Sequence, residues 1–312
     1  MTRVFIDGKA GTTGLRIYER LAERKDVELI TLSDELRKDP EAKKGAFAKA
    51  DIAFLCLPDA AAVEAAELAG ADTRIIDTST AHRTSEGWVY GMPELAGYRE
   101  RIASSNRIAN PGCHASGFIA LVAPLVREGL IAPDTALTCF SVTGYSGGGK
   151  SMIADYESDA RLDLAEEGTT DPLDSPKQYG LTQSHKHLKE MQKISGLDIA
   201  PVFCPIVADF YSGMTVTVPL FAKDLKGKVK DIEELYRSTY YGKLLHFEPC
   251  TESGIYGNAL TGRDDMTVTI AGNEERILLI SCFDNLGKGA SGAAIQNMNI
   301  LLGLPEDTGL TV

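Results

Sequence analysis

No apolar run in this 312-residue chain approaches the ~18 residues that a membrane-spanning helix needs, so no segment is expected to cross a bilayer. A basic excess is missing too. The 32 Lys and Arg stand against 44 Asp and Glu, for a net charge of −12 and a pI near 5.0. That balance excludes a nucleic-acid or anionic-membrane partner, but a local basic pocket for a small anion is compatible with it. The six cysteines form no C-x-x-C pair and no framework spacing, which excludes a disulfide scaffold and fits a reducing cytosol. The chain opens directly into the strand pattern Arg3-Val4-Phe5-Ile6, so no signal peptide is expected. Internal repeats and low-complexity segments are absent as well. What is present is ordinary for a globular protein: 44% hydrophobic and 24% charged residues, with length for about two domains.

The first third alternates strand and helix. Residues 3–8 read as a buried strand, followed by Gly8-Lys9-Ala10-Gly11-Thr12-Thr13-Gly14 and a helix to about Arg24. The spacing is G-x-x-G-x-x-G rather than G-x-G-x-x-G, but the physics is similar. Glycines let the backbone approach a pyrophosphate at a helix N-terminus. Gly8, Gly11, Thr12, Thr13 and Gly14 are therefore candidate dinucleotide contacts. Further strands read at 27–32, 51–57 and 73–78, with helices from Asp39-Pro40 to about Ala50 and from about Asp59 to Ala69. Such alternation predicts a parallel sheet with right-handed crossovers, and ligands bind at the carboxyl ends of its strands. Leu57-Pro58 and Thr78-Ser79 fall there. The second strand lacks the terminal acidic residue that would bind a ribose hydroxyl; it ends Thr31-Leu32-Ser33, with Arg37 and Lys38 close behind. A hydroxyl plus a basic side chain suits a 2′-phosphate, so Ser33 and Arg37 favour NADP over NAD, with Asp34 as a counter-indication. Arg83 is a candidate phosphate clamp, and neighbouring His82 reads as an ordinary loop residue.

The stretch Asn110-Pro111-Gly112-Cys113-His114-Ala115-Ser116-Gly117 places a cysteine where a strand turns into a helix. The helix dipole and the free N–H groups of the first turn favour a thiolate, and the same groups can hold an oxyanion on a carbonyl that the sulfur attacks. Cys56, Cys139, Cys204 and Cys282 lie in apolar runs and read as core residues. Past residue 130 the rhythm changes to long β-rich segments at 136–143, 199–208, 213–220, 266–270 and 276–283, with a helix at about 231–241. That pattern predicts a mixed α+β domain, and the final helix, to about Leu302, is expected to return to the first domain. Gly144 to Ser151 satisfies G-x-x-x-x-G-K-[ST], but it lies outside a parallel nucleotide domain, so ATP binding is not expected. Ser184 reads as the N-cap of a helix carrying His185 and His187. Two residues apart on a helix, these point in different directions and lack the spacing of a metal site, so no metal is expected. A neutral imidazole at a helix start suits acid–base work.

Taken together, the glycine turn, Asn110-Pro111-Gly112-Cys113, Ser146-Gly147-Gly148-Gly149-Lys150, His185-Lys186-His187 and Asn285-Leu286-Gly287-Lys288-Gly289-Ala290 resemble the N-acetyl-gamma-glutamyl-phosphate reductase family, in its shorter subfamily. The resemblance covers nearly the whole chain. It implies a Rossmann-type α/β domain, residues 1–114 plus 285–312, and a catalytic and oligomerisation domain of α+β type, 115–284. It implies Cys113 as nucleophile, with His187 or His185 as acid/base. It also implies NADP contacts extending to Asn285, Lys288 and Gly289, and substrate contacts from Arg83, Asn110, Ser146, Gly147 and Glu190. The longer subfamily has tyrosine after the cysteine and arginine between the histidines, where this chain has His114 and Lys186. The activity implied is NADPH-dependent reduction of an acyl phosphate through a Cys113 thioester, by a cytoplasmic homo-oligomer. An aspartate-semialdehyde dehydrogenase-like enzyme, a cofactor-free cysteine hydrolase and a non-catalytic NADP-binding regulator are the competing readings.

Overall fold

The computed structural model describes residues 1–9, 11–159, 161 and 170–312, which leaves Ala10 of the glycine turn outside. The chain forms two compact units: Met1–Gly112 with Ala290–Leu310, and Cys113–Gly289 with Thr311–Val312.

The first unit is built on a six-stranded, all-parallel sheet: β1 (Thr2–Asp7), β2 (Val27–Ile30), β3 (Ile52–Leu55), β4 (Arg74–Asp77), β5 (Val89–Tyr90) and β6 (Arg107–Ala109), in the order β2-β1-β3-β4-β6-β5. Its central strands carry no polar alternation because both faces are covered. Val4, Ile6, Ile52, Phe54, Ile76 and Ile108 pack on one face with Ile17 and Leu21 of α1 (Thr12–Ala22) and Ala294, Ile295 and Met298 of the C-terminal helix, Gly292–Leu301. Phe5, Ala53, Leu55 and Ile75 pack on the other, with Phe47 of α2 (Pro40–Lys49) and Ala62 and Ala65 of α3 (Asp59–Leu68). This is the doubly wound arrangement that the alternation predicts, and the last helix returns to it as expected. Asp39 caps α2 by accepting from the Ala42 N–H, with Pro40 in the first turn. The two-residue β5 and the short α4 (Tyr98–Ala103) escape a sequence reading because neither is long enough to show a period.

The second unit begins at Cys113 with α5 (Cys113–Arg127), which is buried on nearly every side over its first three turns. Its seven-stranded sheet is mixed, with β7 (Thr138–Gly144), β8 (Lys177–Gln178), β9 (Val202–Ala208), β10 (Met214–Phe221), β11 (Leu245–Phe247), β12 (Met266–Gly272) and β13 (Arg276–Phe283) in the order β11-β12-β13-β10-β7-β9-β8. Gly272-Asn273 lies at the β12–β13 hairpin, with Gly272 at φ +104. Helix α5 lies on one face so closely that a Cβ at Gly117 would stand 2.5 Å from Val216 and 2.6 Å from Ser281. Helix α6 (Gly149–Tyr156) follows a 3-10 turn, Tyr145–Gly148. Helix α7 runs His187–Ser195 and α8 Val229–Thr239; from α8 and the residue after it, Tyr236 and Tyr240 donate to the Leu121 and Ala120 carbonyls of α5. The other sheet face carries Phe140, Val202, Phe221 and Leu278, each more than a third exposed.

Two local expectations fail. Ser184 does not cap α7: the helix starts at His187, its preceding residue is Lys186, and the Ser184 hydroxyl pairs with Thr182 at 2.7 Å. Cys56 is half-buried but packs against the core, whereas Cys204 is half-buried away from it. Cys204 faces the open side of the sheet, in register with Phe140, and a two-residue period alone cannot say which face is covered.

Candidate functional site

In the first unit the glycine turn follows the carboxyl end of β1. Gly8 adopts φ +92, and a Cβ there would collide with the Cys56 carbonyl at the end of β3. A Cβ at Gly14 would stand 2.5 Å from the Gly8 carbonyl oxygen. Both positions thus require glycine for the close approach of turn, helix and sheet that a dinucleotide cradle needs. Beside the turn lies a cleft of about 330 Å³, lined by residues that include Gly8, Lys9, Leu57, Arg37, Lys38 and Lys43. Lys9 joins Arg37, Lys38 and Lys43 as four cations on this cleft, against two carboxylates, Asp7 and Asp34, the latter 3.9 Å from Arg37. Lys43 also forms a 2.8 Å pair with Asp7. Burial raises the Asp7 carboxyl above its usual range, and Lys43 offsets only part of that rise. Ser33 is not among the lining residues; its hydroxyl donates to Glu35 at 2.9 Å.

Farther along the same sheet edge, Thr78 donates to the Leu55 carbonyl, and Ser79 to Asp77 at 2.7 Å. Arg83 is buried, and its guanidinium donates to the carbonyls of Asn110 and Thr78, tying the carboxyl ends of β6 and β4 together. Asn110 in turn donates to the Ala290 carbonyl. His82 is no ordinary loop residue: it is buried, 2.6 Å from Asp77 and stacked on Trp88 at 3.9 Å.

In the second unit Cys113 is the first residue of α5, where N–H groups lack intrahelical acceptors. It is half-buried, and a Cβ at Gly289 would stand 2.9 Å from its own, so glycine at 289 makes room for it. Burial pushes the thiols of Cys56 and Cys282 up to about 12 and about 11, and Cys139 higher still, leaving them poor nucleophiles.

His185 and His187 do not diverge as helical spacing predicts. Because His185 precedes the helix, the two rings meet at 4.7 Å and 84°. The His187 backbone N–H donates to His185 Nδ1 at 3.2 Å, so the neutral His185 ring carries its proton on Nε2. His187 Nε2 lies 3.8 Å from Oε1 of the fully buried Glu190. The third ring of the cluster, His114, was visible in the sequence only as a neighbour of Cys113. It lies 5.9 Å from His185 and 5.5 Å from His187, with Phe203 and Tyr179 completing the group. Burial first, and then the neighbouring titratable His185, press the His114 imidazole down to about 3. Among the described residues no group of histidines, cysteines and carboxylates could hold a metal ion.

Asn285 ties this unit together internally: its side chain accepts from Gly213 N–H and donates to Ser146 Oγ. Lys288 is buried. At the start of the Gly144–Ser151 loop the N–H groups of Gly144, Tyr145 and Ser146 donate to the carbonyls of Gly213, Phe210 and Tyr211.

This parallel-sheet unit with a glycine turn, followed by a mixed-sheet unit opening on a cysteine, has counterparts among known proteins. Residues 33–105 match the semialdehyde dehydrogenase NAD binding domain and residues 113–285 the semialdehyde dehydrogenase dimerisation domain. The class is therefore the semialdehyde dehydrogenases, NAD(P)-dependent oxidoreductases. Solved structures share the fold. Aspartate semialdehyde dehydrogenase II of Vibrio cholerae, complexed with ASA, has a TM-score of 0.70 at 16% identity over 97% of this chain and 98% of that one. The Candida albicans aspartate semialdehyde dehydrogenase, with NADP, has a TM-score of 0.67 at 15% identity over 97% and 99%. Within the class, the chain is 43% identical to N-acetyl-gamma-glutamyl-phosphate reductase 2 of Nostoc sp., over 99% of each. It is 41% identical to the Pseudomonas putida protein of the same name, over 96% of each, and 43% to the Brucella ovis N-acetyl-gamma-glutamyl-phosphate reductase, over 96% of this chain and 99% of that one. The chain belongs to the N-acetyl-gamma-glutamyl-phosphate reductase family.

Proposed function

We propose that the protein reduces N-acetylglutamyl 5-phosphate to N-acetylglutamate 5-semialdehyde and phosphate, with NADPH, by way of a thioester on Cys113. The observation that carries this reading is Cys113 at the first turn of a buried helix, in a chain 43% identical over its length to enzymes of that name. The Cys113 sulfur attacks the acyl carbon, and the C–O bond to phosphate breaks as phosphate departs. First-turn N–H groups of α5 stabilise the oxyanion of that step. NADPH, when bound, supplies the hydride that reduces the thioester. The glycine turn holds its pyrophosphate, and the cleft bearing Arg37, Lys38 and Lys43 holds its 2′-phosphate. His187 gives a proton to the oxyanion left after reduction and recovers it as the C–S bond breaks and the aldehyde leaves. Glu190, with Oε1 3.8 Å from His187 Nε2, orients that imidazole. His185, its Nδ1 occupied, presents an Nε2–H donor toward substrate oxygens. Arg83 holds the Asn110 turn that leads into Cys113.

The partner of the open sheet face is a second copy of this chain. Phe140 and Val202 sit on adjacent strands, Phe221 and Leu278 on the next two, and the segment matches a dimerisation domain. Six reduced cysteines, one of them a nucleophile, suit the cytoplasm.

The test runs the reaction in reverse, with NADP, phosphate and the semialdehyde. N-acetylglutamate semialdehyde is expected to exceed aspartate semialdehyde in kcat/KM by about 100-fold or more, roughly 2.7 kcal/mol, because a pocket for an acylated nitrogen penalises a free ammonium. His187→Asn is expected to lower kcat by about 100-fold. Comparable kcat/KM values for the two aldehydes would reject the substrate, and a larger effect from His185→Asn would exchange the roles of the two imidazoles.

A further inference from the structure

Strand β8 runs beside β9 for only two residues, with Lys177 opposite Val207 and Gln178 opposite Ile206. The ladder stops there for a chemical reason. Tyr179 N–H donates to the Pro205 carbonyl at 3.0 Å, but Pro205 has no N–H to return. The chain leaves the sheet at Gly180, φ +64, where a Cβ would stand 3.1 Å from the Pro205 ring. The next rung on that edge of β9 is the N–H and C=O of Phe203, which is 1% exposed, so both groups need a partner from the protein. The Gln183 side chain supplies it. Phe203 N–H donates to Gln183 Oε1 at 2.9 Å, and Gln183 Nε2 donates to the Phe203 carbonyl at 2.7 Å. A carboxamide carries an acceptor and a donor side by side, so it stands in for the strand that Pro205 turned away.

The backbone under this clamp is strained. Gln183 has φ +54 and is the one non-glycine residue with positive φ among the described residues. A left-handed glutamine persists only where its surroundings over-determine it. Here they are the two bonds to Phe203 and the Gln183 N–H bond to the Gly180 carbonyl, 3.0 Å. Glycine or asparagine would adopt the turn more easily, but neither reaches Phe203 with an amide. The clamp stands two residues before His185, and its far end is the residue on which His185 rests: the two rings lie 5.1 Å apart at 69°. His185 Nδ1 in turn takes the N–H of His187, the first residue of α7. One rung therefore fixes both the segment that carries the imidazole pair and the aromatic wall behind it.

We propose that Gln183 is a positioning residue for the reaction. Its carboxamide, locked to the backbone of Phe203, holds the turn from which His185 and His187 enter the site, and it acts through them. The inference rests on the acid–base role of that pair, but not on the identity of the acyl phosphate.

The test follows the imidazoles directly, by mass spectrometry of hydrogen–deuterium exchange at the ring carbon between the two nitrogens of each histidine. It is read beside kcat and KM for whichever semialdehyde the wild type oxidises. Gln183→Gly deletes the clamp and relieves the backbone strain; Gln183→Asn tolerates the left-handed turn but carries its amide one methylene short. Both are expected to fold with a Tm close to that of wild type, yet to lower kcat by about 10-fold while KM stays within about threefold. Ring exchange at His185 and His187 should rise by about threefold or more, with His82 and His246 within about 1.5-fold of wild type. Gln183→Ala, which loses the clamp and keeps the strain, should show the same pattern with a lower Tm. A kcat and a ring exchange within about twofold of wild type in Gln183→Gly would overturn the proposal, since the glutamine would then serve only the turn. Faster exchange at His185 and His187 with kcat unchanged would overturn it too, as would an equal rise at every histidine, which marks general loosening. The expected pattern in an enzyme that prefers aspartate semialdehyde would support the positioning role and reject only the substrate assignment.

Discussion

At the scale of single residues, Cys113 and His114 are neighbours with opposite electrostatic settings. Cys113 stands at a helix start that favours negative charge, while His114, one position on, is held neutral by burial. Replacing Cys113 with Ala should abolish turnover, by on the order of 10³-fold or more, while dinucleotide binding, followed by fluorescence titration, persists. In the wild type, iodoacetamide should label Cys113 well before Cys56, Cys139 and Cys282, whose thiols burial raises. His114 also makes stability depend on pH. Its native value of about 3 lies below the ~6.5 of an unfolded histidine, so between those values the unfolded chain binds a proton that the native protein does not. Stability therefore falls as pH drops through that window, by about 1.4 kcal/mol per unit. Urea unfolding at pH 7.5 and pH 5.0 should show wild type losing about 2 kcal/mol more than His114→Gln. A difference that does not change with pH would reject the buried neutral ring.

At the scale of elements, α5 has to reach the sheet closely enough to hold Cys113 in place, and Gly117, one turn on, permits it. A methyl group there meets Val216, Ser281 and Phe283 at 2.5–2.9 Å. Overpacking of this kind costs about 1–3 kcal/mol, so Gly117→Ala should lower Tm by several degrees in a thermal scan. A displaced helix start should also lower kcat more than it raises KM. Unchanged Tm and kcat would mean that the helix shifts without consequence for the cysteine. The glycines of 110–117 and 287–289 thus have two distinct physical reasons behind a similar look: close packing for Gly117, and room for Cys113 at Gly289.

For the whole molecule, the open face of the mixed sheet is the surface proposed for assembly. Phe140 and Val202 together expose apolar surface that a monomer would leave in water. The double variant Phe140→Lys, Val202→Glu should convert a dimer or larger oligomer to monomer in sedimentation velocity, with the secondary structure unchanged by circular dichroism. Persistence of the wild-type mass would move the interface elsewhere.

Much of this was legible before any coordinates. Strand and helix alternation, the glycine turn, the cysteine at a strand-to-helix junction and the return of the last helix all express local rules: periodicity, capping and turn chemistry. The hydrophobic runs of β1 and β3 already read as buried strands, as the parallel sheet has them. What only the tertiary structure decided lies in contacts between distant residues. Ser141 and Tyr179 meet His114 across 27 and 65 residues, and no spacing rule connects them. His185 and His187 converge because the chain turns into helix between them, at a start that the apparent N-cap at Ser184 misplaces by two residues. Cys204 looked like core because a two-residue period records alternation but not which side is covered. Local physics chose the elements; packing chose which side chains share a site, because burial and hydrogen-bond satisfaction are properties of the assembled interior and not of any single segment.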